Sequence, residues 1–169
     1  MILNSRTAPK KGNRALSTLP TGWFKIADSS IPAAGKGLFT TQALVKTTQL
    51  GAYGGRKTSR AEMKALLADP ATSHHGSYTV RAGNDCFIDG TNVKDATYLR
   101  YVNHSKEKQN CKIISYDNKS VYFILTQDVA ENCELYADYG RSFPWDSTVR
   151  QPPAKQGDCT AELRELSCR

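Results

Sequence analysis

The sequence predicts a mainly β protein with one or two short helices, and two hairpin patterns are the main reason. Residues 111–116 and 121–126 are apolar-rich stretches that flank Asp-Asn-Lys-Ser, a sequence typical of a tight β-turn. Residues 78–80 and 86–88 flank Ala-Gly-Asn-Asp in the same way. The other connections are long and irregular, which argues against a parallel-sheet nucleotide-binding fold.

The N-terminal half adds two strands and a glycine-rich loop. Residues 22–26 are predicted as a first short strand, and residues 47–53 as another that ends at a Gly-Gly turn. Between them, residues 31–37 are rich in proline, glycine and alanine and end in Gly-Lys-Gly. Alternate glycines let a ligand approach the main chain, although Gly-x-Gly is more often a plain turn.

One helix is predicted from a start signal, an apolar face and a stop signal. Ser59 precedes Glu62 at the spacing of a capping box, and Asp-Pro at 69–70 ends the helix. The apolar face consists of Met63, Leu66 and Leu67. A second short helix is predicted for residues 160–166.

Length and composition indicate a single domain with polar ends. The chain has 169 residues, of which 39% are hydrophobic and 23% are charged, and no apolar run reaches the length of a membrane span. We therefore expect a soluble protein with a basic flexible arm at residues 1–21 and a folded domain at 22–140. Residues 141–169 are expected to pack on the functional site and then to continue as a flexible tail.

Basic residues outnumber acidic ones, which limits the class of partner. The formal net charge is +7, and the N-terminal arm carries much of the excess, because no acidic residue precedes Asp28. Such an arm can contact DNA weakly or can be a solvated tail. The five cysteines are an odd number without paired spacing, which suits reduced thiols in the nucleus or the cytoplasm.

Two short stretches carry the signs of a functional site. Residues 98–105, Tyr-Leu-Arg-Tyr-Val-Asn-His-Ser, form an apolar and aromatic run that stops in three residues with a preference for turns. Residues 134–140, Glu-Leu-Tyr-Ala-Asp-Tyr-Gly, are the second stretch. The abrupt end of the first run indicates either a ligand site or a capped turn.

Three motifs in order resemble the SET-domain protein lysine methyltransferases. They are Gly-Lys-Gly-Leu-Phe at 35–39, Arg-Tyr-Val-Asn-His-Ser at 100–105 and Glu-Leu-Tyr-Ala-Asp-Tyr-Gly at 134–140, with Asn-Cys at 110–111. The resemblance covers residues 23–145. Asp-Pro-Ala-Thr before Tyr78, Ile-Asp-Gly-Thr after the hairpin and Pro-Trp at 144–145 resemble the compact enzymes that monomethylate a lysine in the tail of histone four.

The resemblance implies a fold and an activity. The SET fold consists of small curved β-sheets around a knot-like C-terminal crossing, in which the segment after Asp-Tyr passes through a loop near Asn-His-Ser. Such threaded topologies are rare, so hydrophobic periodicity does not predict them. The implied activity is methyl transfer from S-adenosylmethionine to the side-chain amine of a protein lysine, in a histone tail.

The resemblance also implies roles for named residues. Tyr139 would be catalytic, with a hydroxyl that faces the methyl group and the amine, and Tyr53 would line the lysine channel or be a core tyrosine. Trp145 would stack on the adenine ring or merely seal the C-terminal segment. The residues implied for cofactor binding are Lys36, Gly37, Leu38, Tyr78, Asn103, His104 and Trp145. Those implied for the substrate channel are Ser77, Tyr136 and Ala137.

Proton removal and product size are the chemical questions that these residues leave open. A lysine amine, with an ordinary pKa of about 10.4, must lose a proton before attack, and we expect desolvation and a water path to remove it. Ala137 stands where the family usually has an aromatic residue that limits methylation, which predicts products beyond monomethyl-lysine unless Tyr136 fills the space. Arg100 and Glu134 are interpreted as structural.

Two further departures from the family pattern concern a turn and a metal. Asn132 replaces a usual glycine, and asparagine tolerates the left-handed conformation. We predict no metal site, because Cys159 and Cys168 lack the Cys-x-Cys spacing of a zinc-binding tail. His74 and His75 are adjacent and would point apart on a strand.

Three other functions stay open. They are a lysine methyltransferase for non-histone proteins, a catalytically inactive SET-like binding module, and a small basic nucleic-acid-binding domain. The presence of Gly-Lys-Gly, Asn-His and Tyr139 argues against the inactive module. The expected partner is a protein with a target lysine, such as a histone tail or nucleosome, without membrane contact. We expect a monomer in the nucleus, with the cytoplasm as the alternative location.

Overall fold

The computed structural model describes residues 19–69 and 76–140. These residues form a mainly β structure with one α-helix, α1 at Arg60–Ala68, and two 3₁₀ turns, at Thr21–Trp23 and Tyr98–Tyr101. The strands in chain order are β1 Phe24–Asp28, β2 Lys36–Thr40, β3 Gln49–Ala52, β4 Arg56–Thr58, β5 Thr79–Arg81, β6 Phe87–Asp89, β7 Asn103–His104, β8 Cys111–Tyr116, β9 Ser120–Leu125 and β10 Tyr136–Ala137. The predicted mainly β class is confirmed.

The strands form three small sheets around one apolar core. β1 pairs with β2, β6 lies between β4 and β5, and the largest sheet has the order β3-β9-β8-β10-β7. Leu38 of β2, Leu99 of the second 3₁₀ turn and Phe123 of β9 are almost fully buried in this core. Burial of each such side chain contributes about 1.5–3 kcal/mol, so the core holds these elements together. No helix in the described part of the chain combines the length and apolar character that crossing a membrane requires.

Both predicted hairpins are confirmed. β8 and β9 pair antiparallel from Cys111 opposite Leu125 to Tyr116 opposite Ser120, and Asp117 and Asn118 in the turn have φ angles of 53° and 56°. Aspartate and asparagine tolerate this left-handed region better than other non-glycine residues, which is why the chain reverses here. β5 and β6 form the second antiparallel pair.

The predicted helix is also confirmed, together with its start signal. The Ser59 hydroxyl accepts a hydrogen bond from the Glu62 N–H, and the Glu62 carboxylate accepts from the Ser59 N–H at 2.8 Å. The capping box therefore satisfies two main-chain donors at the start of α1, where no helical partner exists. Met63 is buried, whereas Leu67 is about half exposed, so the apolar face is narrower than the sequence predicts.

The chain crosses itself at β10, in the largest sheet. The implied threading of the segment after Asp-Tyr falls beyond residue 140, outside the described residues. β10 lies between β7 and β8 and runs parallel to both. The Ser105 N–H donates to the Ala137 carbonyl at 3.2 Å, and the Asn110 N–H donates to the Tyr136 carbonyl at 3.1 Å. Since 105–110 connects the two strands on either side of β10, this connection must cross the β10 chain.

Several boundaries differ from the sequence prediction. The first strand begins at Phe24, because the preceding three residues form a 3₁₀ turn closed by the Trp23 N–H on the Pro20 carbonyl. Asn103 and His104 form a short parallel strand and not a capped turn, because β10 supplies main-chain partners. Asn132 has a φ angle of 60°, as its residue type predicted.

Some predictions fall outside the described residues. They concern most of the N-terminal arm, the pair His74 and His75, Trp145, the second helix at 160–166, and Cys159 and Cys168. Within 19–69 and 76–140, no three histidine, cysteine, aspartate or glutamate side chains come together in the way that a metal ion needs.

Candidate active site

A polar cluster and a mainly apolar cavity lie on either side of the start of β7. The first, here called the Glu134 cluster, consists of Ser29, Ser30, Asn103, Glu134 and Tyr136. The second is a cavity of about 610 Å³ whose wall includes Tyr53, Ser77, Arg100, Asp138 and Tyr139. Asn103 of β7 belongs to the cluster, and Val102, which precedes it, belongs to the cavity wall.

Glu134 is the centre of its cluster. Its carboxylate accepts from the Ser29 hydroxyl at 2.6 Å, the Ser30 N–H at 2.8 Å, the Tyr136 hydroxyl at 2.6 Å and the Asn103 amide at 3.1 Å. Burial alone would raise the pKa of Glu134, but these four hydrogen bonds outweigh it and hold the pKa below its ordinary value. The carboxylate thereby joins the β1–β2 loop to β7 and β10.

Gly37 is required by this cluster. A Cβ atom at Gly37 would clash with the Glu134 carboxylate and would lie 3.3 Å from the Asn103 amide nitrogen. The carbonyl of the preceding residue, Lys36, accepts a hydrogen bond from the same Asn103 amide nitrogen at 3.1 Å. The Lys36 ammonium group forms an ion pair with Asp28 at 2.6 Å. The absence of a side chain at Gly37 therefore lets the carboxylate reach Asn103.

Asn103 is oriented by its neighbours. Its amide nitrogen lies 3.0–3.1 Å from three acceptors that share its two N–H groups, namely the Ser29 hydroxyl, the Lys36 carbonyl and the Glu134 carboxylate. These three acceptors fix which end of the amide is the nitrogen. The amide oxygen is consequently the atom with which Asn103 can accept a hydrogen bond from a ligand.

Tyr139 follows the end of β10 and forms part of the cavity wall. Its hydroxyl donates to the Val102 carbonyl, and its main-chain N–H donates to His104 Nδ1 at 3.0 Å. Burial raises the pKa of Tyr139, so the hydroxyl stays protonated at neutral pH. A protonated hydroxyl whose hydrogen is committed to Val102 presents oxygen lone pairs to whatever occupies the cavity.

His104 lies between the Glu134 cluster and the cavity wall. It follows Asn103 on β7, and its ring lies 5.4 Å from that of Tyr139. Burial lowers the pKa of His104, although Asp138, whose carboxylate lies 3.7 Å from Nδ1, acts in the opposite direction. The ring is therefore neutral at pH 7, and Nδ1 can accept from Tyr139 while Nε2 carries the hydrogen.

Tyr53 is both a core residue and a wall residue. Only 6% of its surface is exposed, its ring stacks on Phe123 at 5.9 Å, and its hydroxyl donates to the Tyr78 carbonyl at 2.8 Å. Burial raises the pKa of Tyr53 as well. Tyr53 is thus a core residue that also lines the cavity, and its role in a lysine channel stays a prediction.

The other predicted site residues are placed as follows. Ser77 lines the cavity, and Tyr78 contacts the wall through Arg100, whose guanidinium lies 4.0 Å from its ring. Leu38 is fully buried in the core, with its carbonyl bonded to the Leu135 N–H at 2.8 Å, so its side chain is unavailable to a ligand. Trp145 lies outside the described residues.

Tyr136 and Ala137 lie apart from the cavity that Ser77 lines. The Tyr136 hydroxyl donates to Glu134 at 2.6 Å, and Ala137 is fully buried between β7 and β8. β10 pairs through its main chain with β7 and β8, and successive side chains on a strand point to opposite faces of the sheet. The three described residues that follow β10, namely Asp138, Tyr139 and Gly140, do line the cavity.

Sequence reasoning missed one prominent member of the wall. Arg100 was interpreted as structural, yet it lines the cavity together with Tyr53 and Tyr139. The available signal was a charged residue inside the apolar run Tyr-Leu-Arg-Tyr-Val, since a buried arginine needs a partner.

Comparison with known proteins identifies the family of this domain. The family described as "PR domain zinc finger protein 2, PR domain" matches residues 24–148. Histone-lysine N-methyltransferase PRDM7 of Homo sapiens is 25% identical over 142 residues, which is 82% of this chain and 27% of that protein. Histone-lysine N-methyltransferase set-17 of Caenorhabditis elegans is 25% identical over 128 residues, which is 75% of this chain and 43% of that protein.

The matches refine the resemblance seen in the sequence. The chain spans less than half the length of either relative. The predicted likeness to the enzymes that monomethylate the histone-four tail has no support in these matches, which are of the PR-domain type. The match over residues 24–148 covers most of the chain and all of the cavity wall described above. This chain therefore belongs to the PR-domain family, a SET-like family.

Proposed function

We propose that this chain transfers a methyl group from S-adenosylmethionine to the side-chain amine of a lysine in a protein. The main support is one observation: the Tyr139 hydroxyl lies on the wall of a cavity while its main chain is bonded to His104, next to Asn103. An acceptor for the amine and a polar ligand site thus adjoin each other. Both relatives carry the name histone-lysine N-methyltransferase, which supports a histone as the first substrate to test.

The residues around Asn103 fit the cofactor. S-adenosylmethionine, when bound, supplies an electrophilic methyl group. Asn103 would accept from its ammonium group through the amide oxygen, because the contacts to Ser29, Lys36 and Glu134 all involve the amide nitrogen. The main chain at Lys36, Gly37 and His104 would supply further polar contacts, and Trp145 and Tyr78 are the proposed aromatic ones.

Tyr139 would orient the lysine amine. Because its hydrogen is donated to Val102, its oxygen would accept an N–H from the amine and hold the nitrogen lone pair toward the methyl group. The raised pKa of Tyr139 excludes the phenolate as the resting base at neutral pH. Desolvation in the cavity would instead lower the pKa of the lysine, and water would carry the proton away.

The degree of methylation was predicted from the small side chain of Ala137. Ala137 is fully buried in β10 and is not among the described residues of the cavity wall, so its size gives that prediction no support. Products beyond monomethyl-lysine therefore stay a prediction from the sequence. Mass spectrometry of the product would check it, and monomethyl-lysine alone after exhaustive reaction would contradict it.

A direct test compares substrates side by side. Purified protein and labelled S-adenosylmethionine are incubated with nucleosomes, free histones and a cell lysate, and the Tyr139→Phe variant serves as the inactive reference. Label in histone lysines supports the histone substrate, and label only in other lysate proteins supports the non-histone alternative. Calorimetry with the cofactor gives a second readout, because absence of binding together with absence of transfer would leave only the inactive binding module.

Location, assembly and DNA contact remain part of the proposal. A nuclear monomer that touches DNA weakly through its N-terminal arm would suit a histone substrate, and the cytoplasm would suit a non-histone one. The formal net charge of +7 supports contact with an acidic partner. Salt-dependent DNA binding that disappears on deletion of residues 1–18, with methyl transfer retained, would identify the arm as a separate contact.

A further inference from the structure

We propose that the cavity beside Tyr139 binds a protein segment with an acidic side chain close to the target lysine, and that Arg100 recognises its carboxylate. The identification of the segment as a substrate rests on the function proposed above. Its binding can nevertheless be measured without any methyl transfer, so the two proposals can fail separately.

Arg100 provides the first support. Its Nε and Nη1 atoms are shielded from water and have no hydrogen-bond acceptor among the described residues. The guanidinium stacks on Tyr78 at 4.0 Å, but a ring face does not accept N–H groups that lie in the guanidinium plane. Unpaired donors on a charged group are unfavourable when buried, so an incoming oxygen ligand would stabilise this side chain.

The other charged residues of the described wall are two arginines and one aspartate. Arg60 and Arg81 also line the cavity, and they bond to the neutral acceptors of the turn at 83–84, namely the Asn84 carbonyl, the Gly83 carbonyl and the Asn84 amide oxygen. Asp138 is the single carboxylate among the described wall residues. It accepts from the Gly140 N–H at 2.8 Å and lies beside His104, where it does not pair with an arginine.

This charge pattern selects a carboxylate over a basic segment. A guanidinium offers a planar fork of donors that matches the two oxygens of a carboxylate, and a small rotation of the side chain would turn Nε and Nη1 toward it. Three positive groups around one cavity repel lysines and arginines next to the target and attract aspartate or glutamate.

S-adenosylmethionine also has a carboxylate, so the cofactor is the alternative ligand for Arg100. Asn103, Lys36 and Gly37, the residues that fit the cofactor, are absent from the described wall of this cavity. The cavity wall instead holds Tyr139 and Ser77, which belong to the proposed lysine channel. We therefore assign the carboxylate to the substrate.

The first experiment measures binding alone. Fluorescent peptides carry norleucine in place of the target lysine, and each flanking position is varied in turn among glutamate, glutamine and lysine. Anisotropy with the wild-type protein should show at least one flanking position where glutamate binds about tenfold tighter than glutamine, and glutamine tighter than lysine. Equal binding of all three at every position would overturn the proposal.

The second experiment assigns the preference to Arg100. Arg100→Gln should reduce the ratio between glutamate and glutamine peptides to about one, and Arg100→Lys should restore part of it because the charge returns without the fork. Arg56→Gln is the matched control, since Arg56 pairs with Glu62 at 3.8 Å, is exposed and does not line the cavity. A preference that survives in Arg100→Gln would overturn the assignment.

Two further readouts separate the possible failures. The first is calorimetry with S-adenosylmethionine. If Arg100→Gln weakened cofactor binding and left the peptide preference intact, Arg100 would bind the cofactor carboxylate. That outcome would also overturn the proposal. The same peptides with lysine restored test turnover. Arg100-dependent binding without methylation would contradict the proposed function only, and methylation without any flanking preference would contradict this inference only.

Discussion

The Glu134 cluster and the cavity wall use polar groups in opposite ways. In the cluster, the Glu134 carboxylate accepts four hydrogen bonds and so satisfies donors from β7, β10 and the β1–β2 loop. In the wall, the Arg100 guanidinium keeps two N–H groups without an acceptor among the described residues. The difference teaches that the carboxylate of the first region stabilises the fold, whereas the second region has donors that the proposed ligand would satisfy. Substitutions in the cluster should therefore change stability, and those in the wall should change activity.

Tyr139→Phe should have the largest effect on activity and a small one on stability. The lost hydroxyl removes the proposed acceptor for the amine, and we expect methyl transfer to fall about 10²- to 10³-fold. The lost bond to Val102 should cost only about 1 kcal/mol of unfolding free energy.

Tyr116→Phe is the control for this change, since Tyr116 is 67% exposed and outside the cavity wall. Rates are measured with labelled cofactor, and unfolding free energies with urea. Near-normal activity in Tyr139→Phe would remove this tyrosine from the site.

Glu134→Ala should show the reverse pattern, with stability as the main loss. It leaves the Ser30 N–H without its acceptor and removes one of the two partners of the Tyr136 hydroxyl, and we expect a cost of about 3 kcal/mol in unfolding free energy. Urea unfolding measures the cost. Glu131→Ala is the control, because Glu131 is exposed on the same stretch of chain. A loss below about 1 kcal/mol would show that the cluster is not architecture.

The pH dependence of stability tests the charge of the Glu134 carboxylate without removal of the side chain. Since folding lowers the pKa of Glu134, its contribution is fully present above the ordinary pKa of about 4.3 and is lost as pH falls through the lower folded value. Glu134→Gln should therefore be less stable than the wild type at pH 7, and the gap should narrow below about pH 4.

The control for the pH series is Asp28→Asn. Asp28 also has a lowered pKa, caused by its hydrogen bond and charge pairing with Lys36, but both partners are exposed. Exposed pairs contribute little and are screened by salt. A gap for Glu134→Gln that stayed constant down to pH 3 would contradict the lowered pKa.

Arg100→Met should have the smallest effect on stability of the unliganded protein. The cation–π contact with Tyr78 is lost, but so is the cost of two buried unpaired N–H groups, and the terms should cancel to within about 1 kcal/mol. Thermal unfolding without ligand measures this. A loss as large as that of Glu134→Ala would place Arg100 in the architecture and end the contrast between the two regions.

Local features were predictable from the sequence because neighbouring residues determine them. The Ser59 and Glu62 capping box, the Asp117 and Asn118 turn and the left-handed Asn132 each depend on a few adjacent positions. The order of the motifs was enough to indicate a SET-like fold and to select Tyr139 and Asn103.

Distant contacts were not predictable. The bonds of Glu134 span about a hundred positions of sequence to Ser29 and Ser30, and no periodicity connects them. The family resemblance placed Ala137 and Tyr136 in the substrate channel, but Ala137 is fully buried and the Tyr136 hydroxyl bonds to Glu134, and neither is among the described wall residues. Arg100 was interpreted as structural because its unpaired donors become visible only when the cavity around it is known.

The insertion of β10 also has a consequence for how the chain reaches its folded state. Of the five strands in its sheet, β10 is the last along the chain, yet it occupies a position between two earlier ones. Until it docks, β7 and the inner edge of β8 have open main-chain donors and acceptors, and such edges recruit other strands. Contacts between distant positions also form slowly. Docking of β10 also brings Tyr139 to the cavity wall. Before that docking, the open strand edges make the chain most prone to associate with other copies of itself.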